Sequence, residues 1–192
     1  MLLATTCPAC SRSGPAPCRA CVDEMAAAGP MPCPAGLDGC WALLDYEGPA
    51  REVVAQLKYR NHRSVARWLA RGMADRVRAE PLDVVTWAPT TDLRRRSRGF
   101  DHAEVLARRV ARELGVPCRA TLARLPGAPQ TGRTLRQRRT GPAFLARAPV
   151  RGARILVVDD VVTTGATLAA AAASLRHAGA ATVLGVAAAH PR

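Results

Sequence analysis

Ile155-Leu156-Val157-Val158-Asp159-Asp160-Val161-Val162-Thr163-Thr164-Gly165-Ala166-Thr167-Leu168 is the stretch that decides the fold. Four apolar residues run into a pair of carboxylates, a Thr-Thr-Gly-Ala-Thr turn follows, and an alanine-rich segment comes next. A short apolar run bounded by turn residues reads as a strand buried on both faces, the habit of a parallel sheet. Ligands of open parallel sheets gather at the carboxyl ends of the strands, where Asp159 and Asp160 fall. The turn feeds a helix N-terminus. Its successive N–H groups and the hydroxyls of Thr163, Thr164 and Thr167 suit a phosphate, and the helix dipole favours the negative charge. Gly165 removes a side chain where the backbone must come closest.

Two carboxylates so near a phosphate cannot be serving it. They suit hydroxyl groups, or a divalent cation held through water. A phosphate at one end and vicinal hydroxyls at the other describe a ribose 5-phosphate. The residues expected to bind it are Asp159, Asp160, Val161, Thr163, Thr164, Gly165, Ala166 and Thr167. The plainer alternative, that Asp160 and the threonines only cap a helix, accounts for one such residue and not for the succession. A nucleotide P-loop is excluded by the lack of Gly-Lys-Ser/Thr, and a dinucleotide fold by the lack of G-x-G-x-x-G.

Outward from this segment, strands alternate with helices. Strands are predicted over 41–46, 83–87, 116–122, 154–158 and 182–188, and helices over 51–59, 64–77, 100–114 and 167–177. Residues 124–141 carry Gly, Pro, Gln, Thr and Arg, with only Leu125 and Leu135 as large apolar residues. A gap of that length in a compact domain is functional or disordered. The pattern predicts an α/β fold, a parallel sheet flanked by helices over 41–192, preceded by a small module over 1–40.

That first module is rich in Cys, Pro, Gly and Ala and buries too little apolar area to fold on its own. Cys7-x-x-Cys10 and Cys18-x-x-Cys21 form two knuckles, each aiming two thiolates at one point, a spacing that fits a structural zinc ion. Redox or incidental cysteines are the alternative. Cys33 and Cys40 each lack a second member and read as remnants of a further knuckle or as free thiols, and Cys118 as a small buried side chain.

A formal net charge of +13 points to anionic partners, nucleic acid or small phosphorylated ligands. Lys58 is the only lysine; so strong an arginine bias fits phosphate recognition or a GC-rich coding sequence. Arg94, Arg95, Arg96 and Arg98 crowd a loop after the strand carrying Trp87, as candidates for pyrophosphate or nucleic-acid contacts or as a solvated charge run. Arg133, Arg136, Arg138 and Arg139 occupy the long gap, where a lid would recruit charge on closing. Lys58 reads as a ligand-phosphate contact or as a surface lysine, and His102 as a surface or catalytic residue. No apolar run approaches bilayer length and no secretory signal opens the chain, so a cytoplasmic protein is expected.

The 155–168 segment resembles the phosphoribosyl pyrophosphate signature of type I phosphoribosyltransferases. With the cysteine knuckles, the chain is similar over almost its whole length to the ComF family of competence-associated phosphoribosyltransferase-like proteins. Further matches are Leu57-Lys58-Tyr59, Arg96-Ser97-Arg98-Gly99-Phe100, Gln130 with Thr131, and Ala143-Phe144. The resemblance implies that Asp159 and Asp160 hold the ribose hydroxyls and Thr163 to Thr167 the 5-phosphate, with magnesium accompanying phosphoribosyl pyrophosphate. Ala88-Pro89 stands where the family has Val-Pro, Asp101-His102 where it has Asn-Gln, and Arg138-Arg139-Thr140-Gly141 lacks its usual Asn. These departures surround the expected pyrophosphate and lid regions. The resemblance therefore speaks more to what is bound than to what is made. It implies a phosphoribosyl pyrophosphate-binding accessory of DNA uptake, with single-stranded DNA and a DNA-uptake helicase as candidate partners. An active enzyme moving ribose 5-phosphate to a base and a sensor without catalysis are the alternatives.

Overall fold

The computed structural model describes residues 6–58, 63–91, 99–125 and 142–192. In chain order the strands are β1 (Gly39–Asp45), β2 (Val84–Trp87), β3 (Leu122–Arg124), β4 (Phe144–Ala146), β5 (Arg154–Val161) and β6 (Thr182–His190). The helices are α1 (Arg19–Asp23), α2 (Gly48–Ala55), α3 (Arg63–Val77), α4 (His102–Leu114) and α5 (Ala166–His177), with one 3-10 turn over Gln56–Lys58.

β1, β6, β5 and β2 form a parallel sheet in that order. Alternation along β5 splits the core in two. Leu156 and Val158 pack into the cluster built with α2, α3 and α4, whereas Ile155 and Val157 pack with α5. All four are fully buried, which explains the uninterrupted apolar run, and each contributes about 1.5–3 kcal/mol of burial. α4 begins at Asp101, whose side chain accepts from the Ala103 N–H, and ends at Gly115 in the left-handed conformation.

Two expectations change. The strand over 116–122 does not form as a unit. Cys118 makes a single parallel bridge to Val85 beside β2; the chain then departs, and Leu122–Arg124 pairs antiparallel with β4. The buried hydroxyls of Thr121 and Thr86, 2.8 Å apart, mark where it leaves. β5 also runs three residues further than predicted, because its ladder with β6 continues through Asp159 opposite Ala187 and Val161 opposite Ala189. Asp159 and Asp160 are therefore strand residues, fixed by the sheet rather than carried on a loop. Among the described residues no helix is long and apolar enough to cross a membrane.

Candidate functional site

At the carboxyl end of β5 the two carboxylates are each turned back on the next amide. Asp159 Oδ1 accepts from the Asp160 N–H and Asp160 Oδ1 from the Val161 N–H, both at 2.8 Å. Burial raises the Asp159 carboxyl well above the usual carboxylate range, and the neighbouring Asp160 charge adds to it. Asp101 lies close enough to push in the same direction. Among the described residues no cation pairs with Asp159 or Asp160.

The chain leaves β5 along a fixed path. Val162 is buried, its N–H donates to Ala189 O at 3.0 Å, and its carbonyl lies 2.7 Å from His190 Nδ1. Thr163 and Thr164 then emerge into solvent, and their N–H groups, with that of Gly165, donate to no described residue. Thr164 Oγ1 accepts weakly from the Ala166 N–H at 3.4 Å. Gly165 caps α5 with φ +73°, a conformation that costs a residue with a side chain about 1–2 kcal/mol. Exposed hydroxyls and undirected amides at a helix N-terminus, beginning three residues after Asp160, are groups whose chemistry suits an anion.

Asp101 and Pro34 join the site without having been singled out as site residues. Asp101 is buried and accepts from the Thr90 N–H at 2.8 Å as well as capping α4, so it ties the chain after β2 to that helix. Burial raises its carboxyl too. His102 is buried rather than on the surface, and its ring meets Phe100 edge-on at 5.0 Å. Pro34 lies against Gly165. Arg94, Arg95, Arg96, Arg98, Arg133, Arg136, Arg138 and Arg139 fall outside the described residues, as does the side chain of Lys58.

The knuckle cysteines converge. The Sγ atoms of Cys7, Cys10, Cys18 and Cys21 all lie within 4.8 Å of one another, with Cys10 and Cys18 3.6 Å apart. Tetrahedral zinc–thiolate bonds place sulfurs ~3.8 Å apart, so the donor set fits a zinc ion in both chemistry and spacing. Burial pulls the Cys7 thiol up, but N–H groups of Cys18, Cys10 and Ala9 outweigh it and bring it to about 6. Burial and neighbouring thiols push Cys21 the other way. Cys33 and Cys40 stand apart from this group. Burial, with Cys33 and Asp159 nearby, pushes Cys40 up to about 12.

The parallel sheet, with a carboxylate pair and a glycine-bearing threonine turn at one strand end, is of the phosphoribosyltransferase type, and residues 101–191 match the phosphoribosyl transferase domain family. The DNA utilization protein YhgH of Salmonella typhi is 35% identical over 153 residues, covering 74% of this chain and 67% of the relative. The Escherichia coli K12 protein of that name is 31% identical over 152 residues, covering 73% and 67%. The chain belongs to the ComF family of phosphoribosyltransferase-like proteins. Among solved structures it is similar to the glutamine phosphoribosylpyrophosphate amidotransferase of B. subtilis, with 23% identity and a TM-score of 0.47 over 69% of this chain. It spans only 30% of that enzyme, a likeness too distant to inform its chemistry.

Proposed function

We propose that the chain binds phosphoribosyl pyrophosphate at the rim of β5 and acts as an accessory of DNA uptake. The observation that carries the reading is the fixed succession at this rim: strand-held Asp159 and Asp160, then the exposed Thr163-Thr164 turn and the left-handed Gly165. In this reading Asp159 and Asp160 accept hydrogen bonds from the ribose 2- and 3-hydroxyls. Val161, Thr163, Thr164, Gly165, Ala166 and Thr167 surround the 5-phosphate. Lys58, Arg94, Arg95, Arg96, Arg98, Arg138 and Arg139 supply charge for the pyrophosphate, the lid or a nucleic-acid backbone. Magnesium, when bound with the ligand, neutralises pyrophosphate charge, and the hard oxygens of the aspartates suit it directly or through water.

The relatives' name, DNA utilization protein, supports a role connected with DNA, and the net charge of +13 suits sequence-independent contact with single-stranded DNA. Three Trp, two Tyr and two Phe leave few stacking platforms, so phosphate contacts carry that affinity. A DNA-uptake helicase is the proposed protein partner and the cytoplasm the proposed location. Residues 1–40 act as a zinc-held module beside a phosphoribosyltransferase-like domain over 41–192.

The family match also favours a second reading, in which the chain transfers ribose 5-phosphate to a base or related acceptor. Such transfer needs little general-base chemistry: water exclusion and electrostatic stabilisation of an oxocarbenium-like centre carry most of it. Calorimetry with magnesium and phosphoribosyl pyrophosphate tests the site. Binding should weaken by about a hundredfold or more when Asp159→Ala and Asp160→Ala remove two charge-assisted hydrogen-bond acceptors. Unchanged binding would sink the assignment. Pyrophosphate release across a panel of bases separates enzyme from binder.

A further inference from the structure

Residues 31–38, which follow the four knuckle cysteines, run along α5 and reach the anion turn. Pro34 packs so closely on Gly165 that a methyl group there would lie 2.5 Å from Pro34 Cγ and 2.9 Å from its Cβ. Gly165 is buried although Thr163, Thr164 and Ala166 around it are exposed. Two residues on, Gly36 adopts φ +83° and fits over Ala172, where a Cβ added to the glycine would lie 3.4 Å from Ala172 Cβ. Asp38 then anchors the far end. Its N–H donates to Val183 O at 2.9 Å, its Oδ2 accepts from the Val183 N–H at 2.7 Å, and it pairs with Arg176 of α5.

The contacts at Gly165, Ala172 and Arg176 share one face of α5, spaced seven and four residues apart. The strap therefore follows the helix from the carboxyl rim of the sheet down to the start of β6. A turn closes its upper end, with the Leu37 N–H donating to Pro34 O at 3.2 Å, and Leu37 is anchored in the core beside α5. The upper end is thus a rigid ring held from below. Proline fixes its own backbone and loses little entropy on packing.

A turn that binds an anion through backbone N–H groups works only while those groups stay convergent, and preorganisation then decides affinity. Gly165 is the freest residue in the turn, and it is the one the proline ring covers. We propose that Pro34 is a positioning residue for the sugar-phosphate site: the strap 31–38 holds Gly165, and with it the 163–167 amides, in the anion-receiving shape. This rests on the reading of that turn as the 5-phosphate site. It adds a determinant from the N-terminal segment, 131 residues away in the chain, to the 163–167 turn.

The test uses the full zinc-loaded chain, titrated calorimetrically with ribose 5-phosphate and, separately, with magnesium pyrophosphate. Pro34→Gly should weaken ribose 5-phosphate by about tenfold through lost preorganisation and leave magnesium pyrophosphate within about twofold, the spread expected of uncoupled sites. Pro34→Ala, which keeps part of the contact and is gentler on the fold, should fall between. Gly165→Ala gives a second, independent handle. Its clash with the proline ring disappears in the Pro34→Gly background, so the two losses should combine to less than their product. A wild-type chain that binds while Pro34→Gly binds ribose 5-phosphate equally well overturns the proposal. Equal weakening of both ligands, or strictly multiplicative losses, overturns it as well, because a general prop would act that way. A wild-type chain that binds no ribose 5-phosphate removes the underlying site assignment, and the proposal with it.

Discussion

Asp83 and Arg154 join the starts of neighbouring parallel strands through three hydrogen bonds: Arg154 Nη2 to Asp83 Oδ1 at 2.6 Å, and Arg154 Nε and N to Asp83 Oδ2 at 3.0 and 2.8 Å. The pair closes the edge of the sheet opposite to the candidate site, so it acts on stability alone. The Arg154 side chain and backbone N–H hold the Asp83 carboxyl down at about 2, against 3.8 for a free one. A depressed carboxylate stabilises the fold above its unfolded value and loses that contribution as pH falls through its folded value. Thermal unfolding of the wild type and Asp83→Asn should therefore differ above pH 4 and converge toward pH 2. Because both groups face water, the difference should be small and shrink with salt. Equal midpoints at neutral pH and low salt would remove the role.

Asp159 predicts the opposite sign. Burial raises its carboxyl, so the folded state holds a proton that the unfolded chain has already released. Stability from this group is lost as pH rises from the unfolded value to the folded one, and the fold carries the penalty at neutral pH. Asp159→Asn should raise the unfolding midpoint at pH 7 and flatten its dependence on pH. The same variant should weaken phosphoribosyl pyrophosphate binding by about tenfold, as a charged hydrogen-bond acceptor is lost. A lower midpoint at pH 7 would show that the carboxylate is stabilised rather than strained.

Asp101 separates capping from charge. Asp101→Ala loses the bonds to the Thr90 and Ala103 N–H groups and should cost about 1–2 kcal/mol in denaturant unfolding. Asp101→Asn keeps one oxygen for the Ala103 N–H, loses the Thr90 bond to its NH2 group and removes a negative charge near Asp159, so it should cost less than Asp101→Ala. Equal losses from both variants would assign the whole effect to charge.

The cysteine module should follow its metal. Purified protein should carry about one zinc ion per chain, and a chelator should release it while α1 and the 6–25 region lose protection from hydrogen exchange. Cys7→Ser and Cys21→Ser should each do the same, while Cys33→Ser should leave zinc content unchanged. Zinc retained after Cys21→Ser would mean that a different donor set binds it.

The parallel sheet, its helices and the carboxylate-to-threonine succession were legible because each is written locally. A buried apolar run, a 3.6-residue period and a glycine between hydroxyl residues need no partner to be recognised. The cysteine spacing was legible for the same reason: two Cys-x-x-Cys pairs in close succession suit one metal ion, and their Sγ atoms do converge. Pro34 was not legible, since the contact joins residues 131 positions apart and nothing in Met31-Pro32-Cys33-Pro34 marks it as more than a loop. Nor was the departure after Cys118, where apolar and small residues suggest a strand over 116–122 but only one bridge to Val85 forms. His102 looked like a surface residue by its polarity, and its burial comes from the tertiary packing around Phe100 and α4.

Among the described residues the end of β5 carries two carboxylates, Asp159 and Asp160, on a chain whose formal net charge is +13. Among the described residues arginines pair with Asp23, Asp75, Glu104, Asp83 and Asp38, and Arg192 pairs with Asp45 and Glu47; none of these pairs includes Asp159 or Asp160. At a Debye length of about 8–10 Å in physiological salt, an approaching polyanion or sugar phosphate is drawn in by the excess of +13 and meets the aspartates only on contact. Capture and discrimination are thereby divided by range. The far field speeds encounter without choosing among anions, while the near field repels any that lack hydroxyls or a cation to offer the aspartates. Rising ionic strength should slow association for every anion alike and leave the ranking among them intact.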